Sequence, residues 1–176
     1  MLSSRVEAVS PPCTPPPTPE DSRALRDVLG AFPTGVAVIT TRGANGAPVG
    51  MTASSFSSLS LDPPLVLWSI DKKAGCMDDF ARCRYYAIHA LSQEQQALSA
   101  KFAQKGIDKF SDTPHTAGMD ETPLLPEYCA RLECEVTERY EGGDHIIMVG
   151  KVLVMDQDES REPLVYHRGN YARLEP

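Results

Sequence analysis

The sequence lacks the features that would assign it to several common protein classes at once. No apolar run approaches the roughly 20 residues that a membrane-spanning helix needs. No G-x-G-x-x-G motif follows a candidate strand, and the chain contains no G-K-[ST] phosphate loop, no G-x-S-x-G elbow and no H-E-x-x-H pair. These absences argue against a membrane-spanning protein, a Rossmann nucleotide site and the enzymes that those motifs mark.

Positive charge is also scarce. The chain has 17 Lys and Arg against 24 Asp and Glu, which gives a formal net charge of −7. An acidic surface repels polyanions, so we expect neither nucleic acid nor an anionic membrane as a partner. The net charge leaves room for a small basic pocket that holds a phosphorylated cofactor.

The cysteines do not form a framework. There are five, and no two are spaced C-x-x-C. An odd number of scattered thiols argues against a set of disulfides, and the spacing does not match a zinc site. We therefore expect free thiols, no bound metal and a reducing, cytoplasmic location. The five are Cys13, Cys76, Cys83, Cys129 and Cys134.

Composition divides the chain into two parts. Residues 1–20 form a proline-rich tail, with six prolines between Ser10 and Glu20, and such a segment is expected to be extended or disordered. Residues 21–176 have the composition of one folded domain. No cationic stretch followed by an apolar core marks a secretory leader. A function as an interaction module led by the tail is one alternative.

Hydrophobic periodicity predicts an N-terminal helix followed by a β-hairpin. Asp21 or Ser22 can cap this helix, which extends to Phe32, and residues 35–51 form the hairpin around a turn at 43–46. Further predicted elements are a strand at 65–70 buried on both faces, a short helix at 74–82, a strand at 85–91, a helix to 104 begun by the capping box of Ser92 and Gln95, a loop at 106–125, and strands at 130–140, 145–155 and 163–167.

The numbers of predicted strands and helices indicate the fold class. Six or seven strands joined mostly by short turns, with two or three flanking helices, predict a mainly β protein. Regular helical crossovers are missing, so a small antiparallel β-barrel fits better than a doubly wound parallel sheet.

Several segments carry side chains suited to binding. The hydroxyl-rich stretch 52–58 can donate hydrogen bonds to a phosphate or a heterocycle, although it can equally be a serine-rich loop. The turn 142–145 places His145 at the start of a strand, where an imidazole can bind a carboxamide or donate a proton; an ordinary hairpin rim is the alternative. Lysines 72, 73, 101, 105 and 109 are either phosphate ligands or solvated surface residues.

A series of motifs in a fixed order resembles the short-chain NAD(P)H-dependent flavin reductases, the reductase components of two-component flavin monooxygenases. The motifs are F-P-T-G-V at 32–36, M-T-A-S-S-F-S-S-L-S-L-D-P-P-L-V at 51–66, D-K-F at 108–110, G-G-D-H-x-I at 142–147, G-K-V at 150–152 and P-L-V-Y-H-R-G-N-Y at 163–171. The resemblance extends from about residue 25 to residue 174.

The resemblance implies a Greek-key, FMN-binding split β-barrel that acts as a homodimer, binds FMN or FAD, uses NADH or NADPH, and supplies reduced flavin to a partner monooxygenase. It also implies roles for individual residues. Thr52, Ala53, Ser54 and Ser55 would lie along the flavin ring and ribityl chain. The flavin and its phosphate would be held by Ser69, Lys72, Gly75, Cys76, Lys101, Phe102, Lys109 and Phe110. His89 would touch the flavin edge, His145 would be the catalytic residue beside the nicotinamide, and Tyr171 would lie at the same mouth.

The sequence departs from the pattern of these reductases at three places. Gly75 and Cys76 stand where hydroxyl residues are usual, His89 begins a segment that often reads N-V-L, and His167 replaces a common tyrosine. Two alternatives remain open besides the tail-led module. One is a flavoprotein with tightly bound flavin that reduces a ferric or corrinoid complex, and the other is a non-catalytic flavin- or haem-binding barrel.

Overall fold

The computed structural model describes residues 17–174. The predictions for most of the proline-rich tail, including Cys13, fall outside these residues. The other four cysteines are free thiols, as the sequence predicts. Among residues 17–174, no helix combines the length and the hydrophobicity needed to cross a bilayer.

Seven antiparallel strands make the main sheet, which confirms the mainly β prediction. They are β2 (Ala37–Arg42), β3 (Pro48–Ala53), β4 (Ser57–Leu61), β5 (Pro64–Asp71), β6 (Tyr85–Ala90), β9 (Ala130–Gly142) and β10 (His145–Gln157). Their order in the sheet is β3-β2-β6-β9-β10-β5-β4. The predicted hairpin is β2 and β3, and the predicted turn before His145 joins β9 to β10.

Short strands and helices cover this sheet. The short strands are β1 (Thr34–Gly35), β7 (Thr116–Ala117), β8 (Pro123–Leu124), β11 (Val165–His167) and β12 (Asn170–Ala172). The α-helices are α1 (Ser22–Leu29), α2 (Met77–Arg82) and α3 (Gln96–Ala103), and 3-10 turns lie at Pro19–Asp21, Gln93–Gln95 and Met119–Glu121. The sequence predicted neither β12 nor the pairing of β1 with β11.

Two local predictions need correction. Helix α1 ends at Leu29 rather than Phe32, and the Asp21 carboxylate does not cap it, because it accepts hydrogen bonds from the Thr18 amide and hydroxyl instead. Strand β5 is not buried on both faces. Its core-facing side chains, such as Trp68, are buried, and they alternate with half-buried residues such as Leu67.

The main core lies inside the curled sheet. Trp68 on β5, Phe80 on α2 and Tyr86 on β6 are fully buried, and the Trp68 ring meets the other two edge-on at centroid distances of 5.0 and 5.9 Å. Side chains from β2, β3, β5, β6, β9 and β10 share this one cluster, so the sheet wraps around it. The two edge strands, β3 and β4, are consecutive in the chain and are joined by residues 54–56.

A second core lies on the outer side of β2. Val38 and Leu91 pack there with Phe102 of α3, Phe110 of the following loop and Leu164. The capping box predicted at the start of this helical segment is present, since the Ser92 amide donates to the Gln95 side chain at 2.8 Å. This second core fixes α3 and the loop after it against the outer face of the hairpin.

Gly150 on β10 is required by the packing of Tyr86. A Cβ at position 150 would lie 2.1 Å from the Tyr86 hydroxyl oxygen and 2.7 Å from its Cζ. Both residues lie in the main core, where a shift of the ring would disturb Trp68 as well. A side chain at position 150 therefore overpacks the barrel interior.

We expect Gly150→Ala to lower the free energy of unfolding by about 3 kcal/mol, because overpacking forces the Tyr86 ring out of place. Urea unfolding measures the change. Gly35→Ala is the matched control, since a Cβ there meets nothing within 4 Å. Equal stability of the two variants would contradict this account of the core.

Candidate functional site

The first candidate site is a cleft of about 440 Å³ on one side of the hairpin. Three parts of the chain line it: residues 48–52 of β3, residues 74–76 with Asp79 of α2, and residues 102–110 at the end of α3 and in the loop beyond. This volume is in the range of small-molecule sites. The two cores described above position these segments, because Phe80 anchors α2 and Phe102 anchors α3.

Lys109 is the central cation of this cleft. Its Nζ donates to the carbonyl oxygens of Gly50 at 3.0 Å and Phe102 at 2.8 Å, so the side chain links β3 to the end of α3. No carboxylate of the described residues forms an ion pair with it. Partial burial lowers the pKa of the ammonium group, and the neighbouring Cys76 opposes that effect. An ammonium group has three donors, so one remains for a ligand.

Cys76 faces the same cleft at the start of α2. Burial raises the pKa of its thiol, although the charge of Lys109 acts in the opposite direction. The side chain is therefore a neutral thiol at pH 7 rather than a thiolate. Gly75 beside it leaves open space, since a Cβ there would meet no atom within 4 Å. Residues 74–76 are thus a small and uncharged part of this wall, next to the Asp79 carboxylate.

The floor of the cleft is aromatic. The rings of Phe102 and Phe110 pack edge-to-face with centroids 5.2 Å apart, and both are buried. Gly50 makes this possible, because a Cβ at that position would lie 2.7 Å from the Phe102 ring. The cleft thus combines an apolar floor, a wall of small residues and one half-buried cation.

The cleft brings together six of the residues that the resemblance implicated. They are Thr52, Gly75, Cys76, Phe102, Lys109 and Phe110. Thr52 also donates its hydroxyl to the Ser99 carbonyl at 2.7 Å, which ties β3 to α3. The sequence did not indicate the contributions of residues 48–51, Asp79 and residues 103–108. Lys105 was noted only as one of several lysines, and no local signal marks a strand as one wall of a cleft.

Nine other implicated residues, Ser69 among them, do not line this cleft. Ala53 is in the core and Ser54 is exposed, while the Ser55 hydroxyl bonds both backbone groups of Ser69. Lys72 pairs with Glu141 at 2.5 Å, and Lys101 pairs with Asp112 and bonds Thr113. Tyr171 donates its hydroxyl to Ser99 at 2.8 Å. The remaining two, His89 and His145, are described separately below.

His89 does not reach any cleft. It is 0% exposed on β6, its Nδ1 donates to the Val38 carbonyl at 3.1 Å, and its Nε2 accepts from the Leu125 amide at 3.1 Å. Burial is the main cause that lowers the pKa of this imidazole to about 4. With no exposed surface and both nitrogens bonded internally, His89 is a structural residue and does not fit the expected contact with a flavin edge.

His145 lies at the start of β10, opposite Asp71 at the end of β5. Its Nδ1 is 2.7 Å from the Asp144 carboxylate, and this hydrogen bond is the main cause that lowers the pKa of Asp144. The side chain is 40% exposed, so Nε2 is left for a ligand. Asp71 precedes the segment 74–76 by three residues, and the Lys72 amide donates to the Asp144 carbonyl at 2.9 Å, so backbone pairing links His145 to the strand that leads into that wall of the cleft.

Comparison with known proteins gives a consistent result. Residues 29–175 match the family model described as "Flavin reductase like domain". The chain is 41% identical over 158 residues to "FMN reductase (NADH) SmoA" of Agrobacterium fabrum, covering 90% of this chain and 89% of that protein. It is 36% identical over 156 residues to "Flavin-dependent monooxygenase, reductase subunit HsaB" of Rhodococcus jostii, covering 89% of this chain and 80% of that protein.

A solved structure shares both fold and sequence. The "NADH:FAD oxidoreductase SgcE6" of Streptomyces globisporus, determined with NAD and FAD fragments, superposes with a TM-score of 0.84 at 37% identity. The alignment covers 90% of this chain and 96% of that one. Other relatives are longer, and this chain spans 48% of the length of one of them, from Rhizobium meliloti.

The burial of His89 predicts a pH dependence of stability. The unfolded chain binds a proton at this imidazole below pH 6.5, whereas the folded protein does so only near pH 4. Stability is therefore complete above pH 6.5 and falls as the pH drops toward 4, by about 3 kcal/mol from this group alone.

We expect His89→Gln to be less stable than the parent at pH 7.5, because it disturbs two internal hydrogen bonds, yet to lose less stability between pH 6.5 and 4.5. Urea unfolding at each pH measures both effects. His167→Gln, at a half-buried position without a hydrogen bond from its ring to the described residues, is the control. An unchanged pH profile in His89→Gln would show that this imidazole does not titrate as inferred.

Proposed function

The chain belongs to the flavin reductase like domain family, and on this premise we propose that it oxidises NADH or NADPH, reduces FMN or FAD, and delivers the reduced flavin to a partner monooxygenase. One observation carries the proposal. The main cleft holds a half-buried ammonium group, Lys109, with no carboxylate ion-pair partner among residues 17–174, above an aromatic floor. A phosphorylated ligand with an apolar part supplies what this arrangement lacks.

The cleft fits a flavin in both charge and shape. A flavin phosphate in the cleft would accept the remaining donor of Lys109, and Lys105 adds a second cation at the rim. The small residues at 74–76 replace the hydroxyl groups common in such reductases, so Lys109 becomes the main phosphate ligand. Phe102 and Phe110 provide apolar surface and exclude water beneath the ligand.

The chemistry needs little from the protein beyond position and charge. A bound flavin accepts the hydride of a reduced nicotinamide, so the cofactors carry the redox step. His145 is placed to bind the nicotinamide carboxamide or to hold a proton at Nε2. Asp144 fixes the ring by accepting the Nδ1 proton. No nucleophile is required, and the neutral Cys76 thiol is consistent with that.

The experiment that tests the function is NADH and NADPH oxidation by the purified protein with and without added FMN or FAD. We expect turnover that depends on free flavin and saturates with it. Turnover by protein that carries bound flavin and needs a ferric or corrinoid acceptor would instead favour the alternative function, a flavoprotein with tightly bound flavin. Flavin binding without oxidation of either nucleotide would favour the other alternative, a non-catalytic flavin-binding barrel.

Two substitutions are expected to separate the roles of the site. Lys109→Gln should raise the Kd for flavin, measured by calorimetry, about tenfold, since a charged hydrogen bond to phosphate is lost.

His145→Ala should leave the flavin Kd unchanged while lowering kcat/KM for NADH about tenfold or more. Steady-state kinetics measure kcat/KM, and calorimetry measures the flavin Kd. An unaltered rate at saturating flavin and limiting NADH would remove His145 from the site.

A homodimer is the second part of the proposal. Large apolar side chains are exposed on β4 and on the last part of β10, the two strands that flank β5: Leu61 is 94% exposed and Met155 is 80% exposed, and Leu59, Leu153 and Val154 are exposed as well. Large exposed apolar surfaces in soluble proteins mark interaction sites. A second copy of the chain is the partner we assign to it, because the patch belongs to strands of the main sheet rather than to a loop or terminus.

We expect Leu61→Asp to convert a dimer to a monomer in sedimentation velocity, because a carboxylate in an apolar interface is left without a partner. Val28→Asp, an equally drastic change at an exposed site on α1, is the control. A parent protein that sediments as a monomer at all concentrations would contradict the proposal.

A further inference from the structure

A second cleft lies next to the first and has no part in the function proposed above. It has a volume of about 300 Å³. The β2–β3 turn, the C-terminal end of α2, residues 83–85 and the polar pair Asp120 and Thr122 line it. Asp79 lines both clefts, so one side chain separates them.

The backbone of β3 connects the two clefts. Thr52 lines the first cleft at the inner end of the strand, Pro48 lines it at the outer end, and the turn that precedes Pro48 lines the second cleft. Gly43 lies at the boundary, where a Cβ would be 3.0 Å from Val49 and 3.1 Å from the Asp79 carboxylate. The two clefts are therefore neighbours along β3, with Gly43 and Asp79 at their boundary.

The second cleft offers cations. Arg42, Arg82 and Arg84 line it, against the carboxylates of Asp79 and Asp120. Arg42 is paired with Glu121 at 3.0 Å and Arg84 with Glu135 at 3.1 Å, whereas Arg82 is exposed and forms no ion pair within residues 17–174. The Asp79 carboxylate accepts a hydrogen bond from the Ala44 amide at 3.2 Å, which offsets part of its charge.

The remaining lining suits a heterocycle with polar edges. Tyr85 contributes an aromatic ring, and the Arg84 guanidinium lies over it at 5.1 Å from the centroid, within the range of a cation–π interaction. Thr122 is 2% exposed, and its hydroxyl oxygen has no hydrogen-bond partner among the described residues. Buried polar groups rarely lack a partner, so this hydroxyl marks a position where a ligand group is expected.

We propose that the second cleft binds the adenosine phosphate half of FAD, with Arg82 on the phosphate and the Tyr85–Arg84 pair beside the adenine. This inference rests on the proposed function, because the flavin half must occupy the first cleft. FMN ends at the first cleft and gains nothing from the second. The protein therefore prefers FAD to FMN.

The experiment measures the Kd of FAD and of FMN by calorimetry for the parent and for Arg82→Gln. We expect the parent to bind FAD more tightly than FMN. Arg82→Gln should weaken FAD binding about tenfold and leave FMN binding within about twofold, because only FAD places a phosphate there. Arg23→Gln, at an exposed position on α1, is the matched control for the lost charge.

A second variant tests the same site by shape. Ala44 is exposed in the turn that lines the second cleft, so Ala44→Trp fills the cleft without touching the core. FMN binding by this variant should be retained and FAD binding weakened; FMN binding also reports that the variant has folded.

Failure of the second-cleft assignment and failure of the proposed function give different binding results. Equal Kd values for FAD and FMN in the parent, or loss of both in equal measure in Arg82→Gln and Ala44→Trp, would overturn the assignment of the second cleft alone. If neither flavin binds to the parent, the proposed function fails, and the assignment of the second cleft fails with it.

Discussion

The packing of Trp68 against Phe80 and Tyr86 is the contact on which the rest of the molecule depends. The three fully buried rings join β5, α2 and β6, which are separated in the sheet or lie outside it. Edge-to-face aromatic packing adds a preferred geometry to the large apolar area that these rings bury. Because Phe80 is fixed in this way, the start of α2 is held beside the hairpin, and Cys76 and Asp79 become walls of the clefts. The site is therefore a consequence of the core.

Lys109 makes the complementary connection on the other side of the hairpin. Its two bonds to backbone carbonyls hold the loop after α3 against β3, and the edge-to-face pair of Phe102 and Phe110 lies beneath it. The same ammonium group is thus a structural link and the main cation of the cleft. An anion bound there would satisfy a charge that burial has left without a carboxylate.

Local features of the fold were predictable, and features that depend on the approach of distant segments were not. The β2–β3 hairpin, the capping box at Ser92 and the turn before His145 follow from short-range turn and capping chemistry, and all are present. The predicted end of α1 and the predicted burial of both faces of β5 were wrong, because both depend on which other segments of the chain pack against these elements. Likewise, six implicated residues meet in one cleft, while Lys72 and Lys101 are held by Glu141 and Asp112, partners that no spacing rule identifies.

The sequence by itself determined the fold class, the hairpins, the free thiols and, through ordered motifs, membership of a flavin reductase family. Only the tertiary structure decided which side chains are available to a ligand. His89 and His145 both lie on strands, yet the first is sealed between Val38 and Leu125 and the second stands at a rim. The second cleft, too, exists only where the hairpin turn, α2 and residues 120–122 meet. Burial is a property of the whole packed chain, because it depends on contacts between segments far apart in sequence, and local patterns cannot specify it.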